Sequence, residues 1–330
     1  MALRWSVLDR SPTNEGENSS TGIQNTIKLA VKAEQLGYHR FWVSEHHGSE
    51  LLVGSSPEVL ISHLISTTKR IRVGSGGVML QHYSPYKVAE NFNLLSVLAP
   101  GRVDLGVGRG PGGLPASTQA LSPAIHLEPR PFNEKLDHLN RYLQSQPIEG
   151  LFAQPVPVVP PELYLLGTGV TSAELAAHQG LPFVYAHFIN GDEQTLKESL
   201  SIYRTTFNFF SGRTPELILS LSVLFAKTEE EAQRQADDKK TFKVHFESGK
   251  TVSIYSFELA KRLGEQANEP YTIEPVSASI IYGTQESVLR KINEISQRYN
   301  IQEVMILPAA HEFEQRLQAY EWLSVGIPQQ

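Results

Sequence analysis

Short apolar runs alternate along the chain with longer stretches that are apolar at every third or fourth position. The clearest case lies within residues 71–110, where two runs of β-branched and small residues flank an amphipathic segment, Pro85–Leu98. Short apolar runs mark buried strands and a 3.6-residue period marks a helix, so this stretch reads strand–helix–strand. The same reading gives strands at Leu3–Asp9, Phe41–Ser44, Arg70–Met79, Val103–Gly108, Leu163–Leu166, Phe183–His187, Leu217–Ala226 and Glu303–Leu307. Helices fall between them. One spans Ile23–Leu36 with Ser20 or Thr21 as cap, and another follows Gly169 with Thr171 or Ser172 as cap. After Thr228 the pattern stays helical to about Gly264, and Lys239–Tyr271 reads as an inserted helical excursion.

Strict alternation of strands and helices implies parallel pairing. Eight such units point to an α/β fold, a (β/α)8 TIM barrel with a helical insertion before the last strand, spanning 1–330 as a single domain. A doubly wound open sheet shares the alternation. In a barrel, active-site residues are expected at the C-terminal ends of the strands. Residues 110–130 are rich in Gly, Pro and Ser without a period, and long loops of that kind are usually functional or disordered. Segments 110–130 and 239–271 are therefore the expected lids.

Composition narrows the function. The net charge is −6 and no dense Lys/Arg stripe occurs, which disfavours nucleic-acid and anionic-membrane partners. There is no cysteine, so disulfides, thiol nucleophiles and thiolate metal sites are excluded. The opening MALRWSVLDR reads as a first strand rather than a signal peptide, and no run approaches the ~18 apolar residues of a membrane span, so a cytoplasmic location is expected.

Candidate chemistry gathers at the predicted strand ends. His46-His47 follow the second strand, and alternation directs at most one of them into the barrel mouth. That one suits general acid/base work or hydrogen bonding to a developing oxyanion, as well as simple packing. Adjacent histidines lack the spacing that converges on one metal ion, so no metal site is expected. Gly76-Gly77 marks either a bulge or an unusual backbone beneath a planar ligand. Arg109, past the fourth strand, offers a guanidinium to a phosphate or a surface ion pair. Gly167-Thr168-Gly169 before a helix offers free N–H groups at its positive end. His187 ends the sixth strand.

Several segments in order also resemble one family. Gly37-Tyr38 with Phe41–His47, Val73–Val78, Ala89-Glu90 with Ala99–Arg102, Gly106–Gly110, Leu166–Gly169 with Ala173–Ala177, and Tyr282-Gly283-Thr284 are similar to the bacterial luciferase-like monooxygenases. The resemblance implies a flavin-dependent barrel, usually a homodimer. Such an enzyme takes reduced FMN from a separate NAD(P)H:flavin reductase and uses O2 to oxygenate a small organic substrate through a flavin C4a-(hydro)peroxide. It implies His46 as the catalytic acid/base. Gly76-Gly77 would carry a cis peptide under the flavin ring, and Ser75, Gly76, Gly77, Arg109, Gly110, Gly167, Thr168 and Gly169 would bind the cofactor. Asp9, His47 and His187 are expected around the substrate. Bacterial luciferase has a reactive cysteine where this chain has Gly108, so light emission does not follow from the resemblance. A deazaflavin-dependent hydride transferase on the same scaffold and a non-catalytic flavin-binding protein are the alternative readings, and a metal-dependent barrel hydrolase is a remote one.

Overall fold

The computed structural model describes residues 3–14, 16–121, 130–267 and 269–327. Strands β1 (Arg4–Asp9), β2 (Arg40–Val43), β3 (Arg72–Met79), β4 (Val103–Gly108), β5 (Glu162–Gly167), β6 (Phe183–Ala186) and β7 (Leu217–Phe225) follow in order. Next come β8 (Lys240–Phe246), β9 (Thr251–Ile254), β10 (Tyr271–Ser277), β11 (Ile280–Gly283) and β12 (Glu303–Pro308). β1 pairs with β2 and β12, β7 pairs with β6 and β12, and all these pairings are parallel. Eight strands, β1–β7 and β12, therefore close into a barrel ringed by helices.

Both faces of a parallel strand are buried, which is why these runs read as nearly continuous apolar sequence. Outward residues such as Val7, Phe41, Val73, Leu105, Leu163, Phe183, Leu219 and Val304 join the helices in one large core. The inward residues Leu8, Trp42, Tyr164, Val184, Ile218 and Met305 form a smaller cluster inside the barrel.

Below that cluster, toward the N-terminal ends of the strands, the interior is charged. Arg40 donates from Nη1 to Asp104 Oδ2 at 2.9 Å and to the Tyr164 hydroxyl at 2.7 Å, and from Nη2 to Glu303 Oε2 at 3.1 Å. Asp104 also accepts from Trp42 Nε1 at 2.8 Å and Arg72 Nε at 2.9 Å, and the Ser6 hydroxyl donates to Glu303 Oε1 at 2.6 Å. A Cβ at Gly74 would stand 2.6 Å from the Asp104 Cβ, so only glycine leaves space for this network. It forms the floor of the barrel. A surface hollow of about 950 Å3 among Leu3, Trp5, Leu36, Tyr38, Ile71 and Ile327 lies at the strand N-termini, at the opposite end from the barrel mouth.

The insertion differs from the sequence reading. Residues 239–271 do not form a helical excursion. β8, β9 and β10 make an antiparallel sheet in the order β10-β8-β9, covered by the single helix Phe257–Gln266. The reason is a period of two: Val244 and Phe246 are buried with Ala260 and Leu263 of the helix, while Lys243 and His245 are more exposed. The many charged residues around them hide that alternation from a helix-oriented reading. A short ninth parallel strand, β11, lies beside the upper half of β7 and was not foreseen. The first helix begins at Ser19 and is capped by Asn18, whose side chain accepts from Thr21 N–H, rather than by Ser20 or Thr21.

Candidate functional site

At the mouth, β2 runs into Glu45-His46-His47, and the two histidines diverge as alternation requires. His47 turns to the buried Glu45, with Nε2 2.7 Å from Oε1. The same oxygen accepts the Tyr83 hydroxyl at 2.7 Å, while Oε2 accepts the Met79 N–H at 3.0 Å. Glu45 thus ties the end of β2 to the end of β3. His46 turns elsewhere: Nδ1 lies 3.0 Å from Ser44 Oγ, and its backbone N–H donates to the Gly54 carbonyl at 2.8 Å. Burial, then the neighbouring Arg10 and His47, push its pKa down to about 3. His46 is neutral at physiological pH. An anion bound in the mouth would raise that pKa.

On β3, the Gly76–Gly77 peptide is cis and the pairing with β4 changes register there. A Cβ at Gly76 would stand 2.6 Å from Leu8 Cδ1, and one at Gly77 would stand 2.7 Å from the Gly106 carbonyl oxygen. Ser75 alternates with the inward glycines and faces the helices, its hydroxyl donating to the Gly106 carbonyl at 2.8 Å. No ligand in the mouth can reach that side chain, a correction to its expected role.

The inward face of β4 ends at Gly108, where an added Cβ would meet nothing within 4 Å. Arg109 is exposed, with its guanidinium 5.0 Å from the centre of the Phe132 ring, and among the described residues it has no ion pair. The Gly110 carbonyl accepts from Gln81 Nε2 at 3.1 Å. At the end of β5, Gly167 packs so closely on Ser172 that a Cβ would lie 2.2 Å away. Gly169 precedes the helix Val170–His178, whose first turn has no acidic residue and no side-chain cap, contrary to the expected Thr171 or Ser172 cap. The Thr168 carbonyl accepts from Asn190 Nδ2 at 2.9 Å. The uncapped N–H groups and Arg109, on adjacent strands, suit a phosphate. The open wall at Gly108 suits a flat ring. These residues fit a flavin mononucleotide.

His187 lies at the seam with the insertion, its Nδ1 3.1 Å from Ser279 Oγ, and burial lowers its pKa. Asp9 is not at the mouth. Its carboxylate points into the helix layer, taking Thr26 Oγ1 and the Ser11 N–H at 2.7 Å and Arg316 Nη1 at 2.6 Å. As the outward neighbour of inward Leu8, it could face no other way. Segment 110–121 lies against the mouth, with the His47 N–H donating to the Gly112 carbonyl at 2.8 Å, while residues 122–129 of the expected lid lie outside the described residues. The insertion reaches the same place: Leu114 joins its apolar cluster and Tyr255 Oη lies 3.1 Å from Ser49 Oγ. Among the described residues, no group of three His, Asp or Glu side chains is placed to hold a metal ion. No described helix is long and apolar enough to cross a membrane.

Sequence reasoning missed Glu45, Tyr83 and Arg10. Glu45 carried a signal in its place beside the histidine pair, and Arg10 is the next inward position after Ser6 and Leu8. Tyr83 follows the 3₁₀ turn Leu80–His82, and nothing in the sequence marks it.

An eight-stranded parallel barrel with a glycine-walled, histidine-bearing mouth at its C-terminal end defines the class of (β/α)8-barrel proteins with a candidate active site at that end. The chain matches the luciferase-like monooxygenase family over residues 1–300 and belongs to it. It is 42% identical to the N-acetyl-S-alkylcysteine monooxygenase of Bacillus subtilis (strain 168), covering 98% of each chain. It is 25% identical to the oxygenase component of the flavin-dependent trigonelline monooxygenase of Acinetobacter baylyi, over 91% of this chain and 83% of that one. Among solved structures, apo-MsnO8 superposes with a TM-score of 0.79 at 32% identity over 98% of each chain. The protein is a luciferase-like monooxygenase.

Proposed function

We propose that the protein is the oxygenase of a two-component system working in the cytoplasm. It would receive reduced FMN from a separate NAD(P)H:flavin reductase and oxygenate a small N-acetylated S-alkylcysteine. The observation that carries this reading is the open space beside Gly108 on β4, in a mouth that also holds a neutral His46 and an Arg109 with no ion pair among the described residues. The extensive identity to the B. subtilis enzyme supports the substrate class. When bound, reduced FMN supplies the electrons that activate O2, one oxygen atom entering the substrate and the other leaving as water.

The chain's own residues divide the remaining work. Arg109 and the N–H groups after Gly169 hold the phosphate. Gly76, Gly106 and Gly108 present backbone rather than side chains to the ring. His46, neutral and braced by Ser44, gives or takes a proton at the reacting centre, and a bound anion brings its pKa nearer the working range. Segment 110–121 and the β8–β10 sheet act as lids that exclude water. The exposed Val59, Leu94, Val97 and Leu98 on two adjoining helices offer an apolar face for a homodimer.

The test is an anaerobic titration with reduced FMN, followed by mixing with O2 and N-acetyl-S-methylcysteine and mass analysis of the products. An oxygenated product that depends on reduced FMN is expected. Flavin binding with no turnover, or turnover only with a reduced deazaflavin, would overturn the reading.

A further inference from the structure

We infer that Arg10 receives the carboxylate of the substrate. Ser6 and Leu8 are inward positions on β1, and Arg10 is the next one, just beyond the strand's C-terminal end. It is half-buried, and among the described residues its side chain makes no hydrogen bond or ion pair. The other inward arginine is treated differently, since Arg40 in the floor donates to Asp104, Tyr164 and Glu303. The adjacent carboxylate, Asp9, is turned away and already taken by Arg316, Thr26 and Ser11. Glu45 is taken by His47, Tyr83 and Met79.

Among the described residues, the charged and titratable groups around Arg10 are Tyr255 from the insertion, His46 from β2, His311 after β12, and Asp9 with Arg316 behind it. None of them supplies a free anion. A guanidinium held out of water without a partner is costly, and its forked donors match a carboxylate in two parallel bonds.

The anion is distinct from the cofactor's phosphate. Around the ring β1 stands opposite β5, which carries Gly169, and three strands from β4, which carries Arg109. His46 follows β2, between the two anion sites. A molecule with its acid group on Arg10 therefore extends across the mouth toward the ring site, past the imidazole. Tyr255 brings the insertion to the same end of the molecule. This inference rests on the substrate class proposed above, whose members carry a free carboxylate at the cysteine end.

The experiment compares N-acetyl-S-methylcysteine with its methyl ester, using the wild-type protein, Arg10→Met and Arg10→Lys. Steady-state kinetics, anaerobic reduced-FMN titration, calorimetric binding of each probe without flavin, and thermal unfolding are the readouts. The wild type is expected to prefer acid over ester by about 10- to 100-fold, the worth of a charge-assisted hydrogen bond. Arg10→Met loses that preference through a raised KM for the acid alone, and Arg10→Lys keeps part of it. Reduced-FMN affinity stays unchanged, and ligand-free Arg10→Met is at least as heat-stable as the wild type, because an unpaired charge has been removed. A wild type without the preference, a Met variant that keeps it, or a Met variant that loses flavin affinity overturns the assignment. If no probe is oxygenated with reduced FMN, the flavin reading fails. Calorimetry then judges Arg10 separately: an acid preference lost in Arg10→Met sustains it, and equal binding of both probes, or none, overturns it.

Discussion

The two ends of the barrel interior are built from the same inward positions of the same strands, yet they handle polar groups in opposite ways. In the floor, Arg40, Asp104, Glu303, Arg72, Tyr164 and Trp42 satisfy one another. In the mouth, Arg10 and Arg109 have no ion pair among the described residues, the helix after Gly169 is uncapped, and His46 is held uncharged. Polar groups that satisfy one another serve the fold, and unpaired or perturbed ones gathered in a cleft mark a candidate functional site.

The contrast can be broken most forcefully at the floor. Arg40→Met leaves Asp104 and Glu303 buried without their cation, and is expected to cost about 3–5 kcal/mol of stability in urea unfolding. A loss too small to resolve would mean that the floor is not the structural end. At the mouth the effects should fall on function instead. His46→Ala is expected to lower substrate oxygenation by about 10²- to 10⁴-fold with reduced-FMN affinity and melting temperature unchanged; full activity would remove its role. Arg109→Ala should weaken reduced-FMN binding by about 10- to 100-fold, again without loss of stability, as read by anaerobic fluorescence titration.

The smallest effect is a matter of pH. The His46 pKa is about 3 when folded and about 6.5 when unfolded, so the unfolded chain binds the extra proton first. Stability is therefore lost as pH falls through this window. Between pH 7.5 and pH 5 the contribution is about 2 kcal/mol. A His46→Asn variant should lack that part of the acid sensitivity, and identical pH profiles for the two proteins would argue against a buried neutral imidazole.

The barrel was legible in the sequence because its strands are buried on both faces and its helices on one, so each announces its period. The β8–β10 sheet was not, since one face is half-exposed and Lys240, Lys243 and His245 interrupt its apolar alternation with residues that also suit a helix. β11 spans only Ile280–Gly283, too short for any period to show. At the site, the positions of His46, Gly76-Gly77, Arg109 and Gly169 followed from strand ends and glycine punctuation. What escaped were facts of side-chain direction and pairing. Asp9 and Ser75 sit at strand ends but face outward, while Arg10 is the next inward position and has no ion pair among the described residues. Such pairings join residues as far apart in sequence as Asp9 and Arg316.

The side-chain partners in the floor network lie within the barrel strands themselves, and none is borrowed from the loops at the mouth. That separation makes the scaffold evolvable. New loops, a different guanidinium or a reshaped insertion can be tried at one end while the other keeps the chain folded. A lineage built on this plan can change what it consumes without first relearning how to fold, and an engineer altering Arg10 or Tyr255 inherits the same freedom.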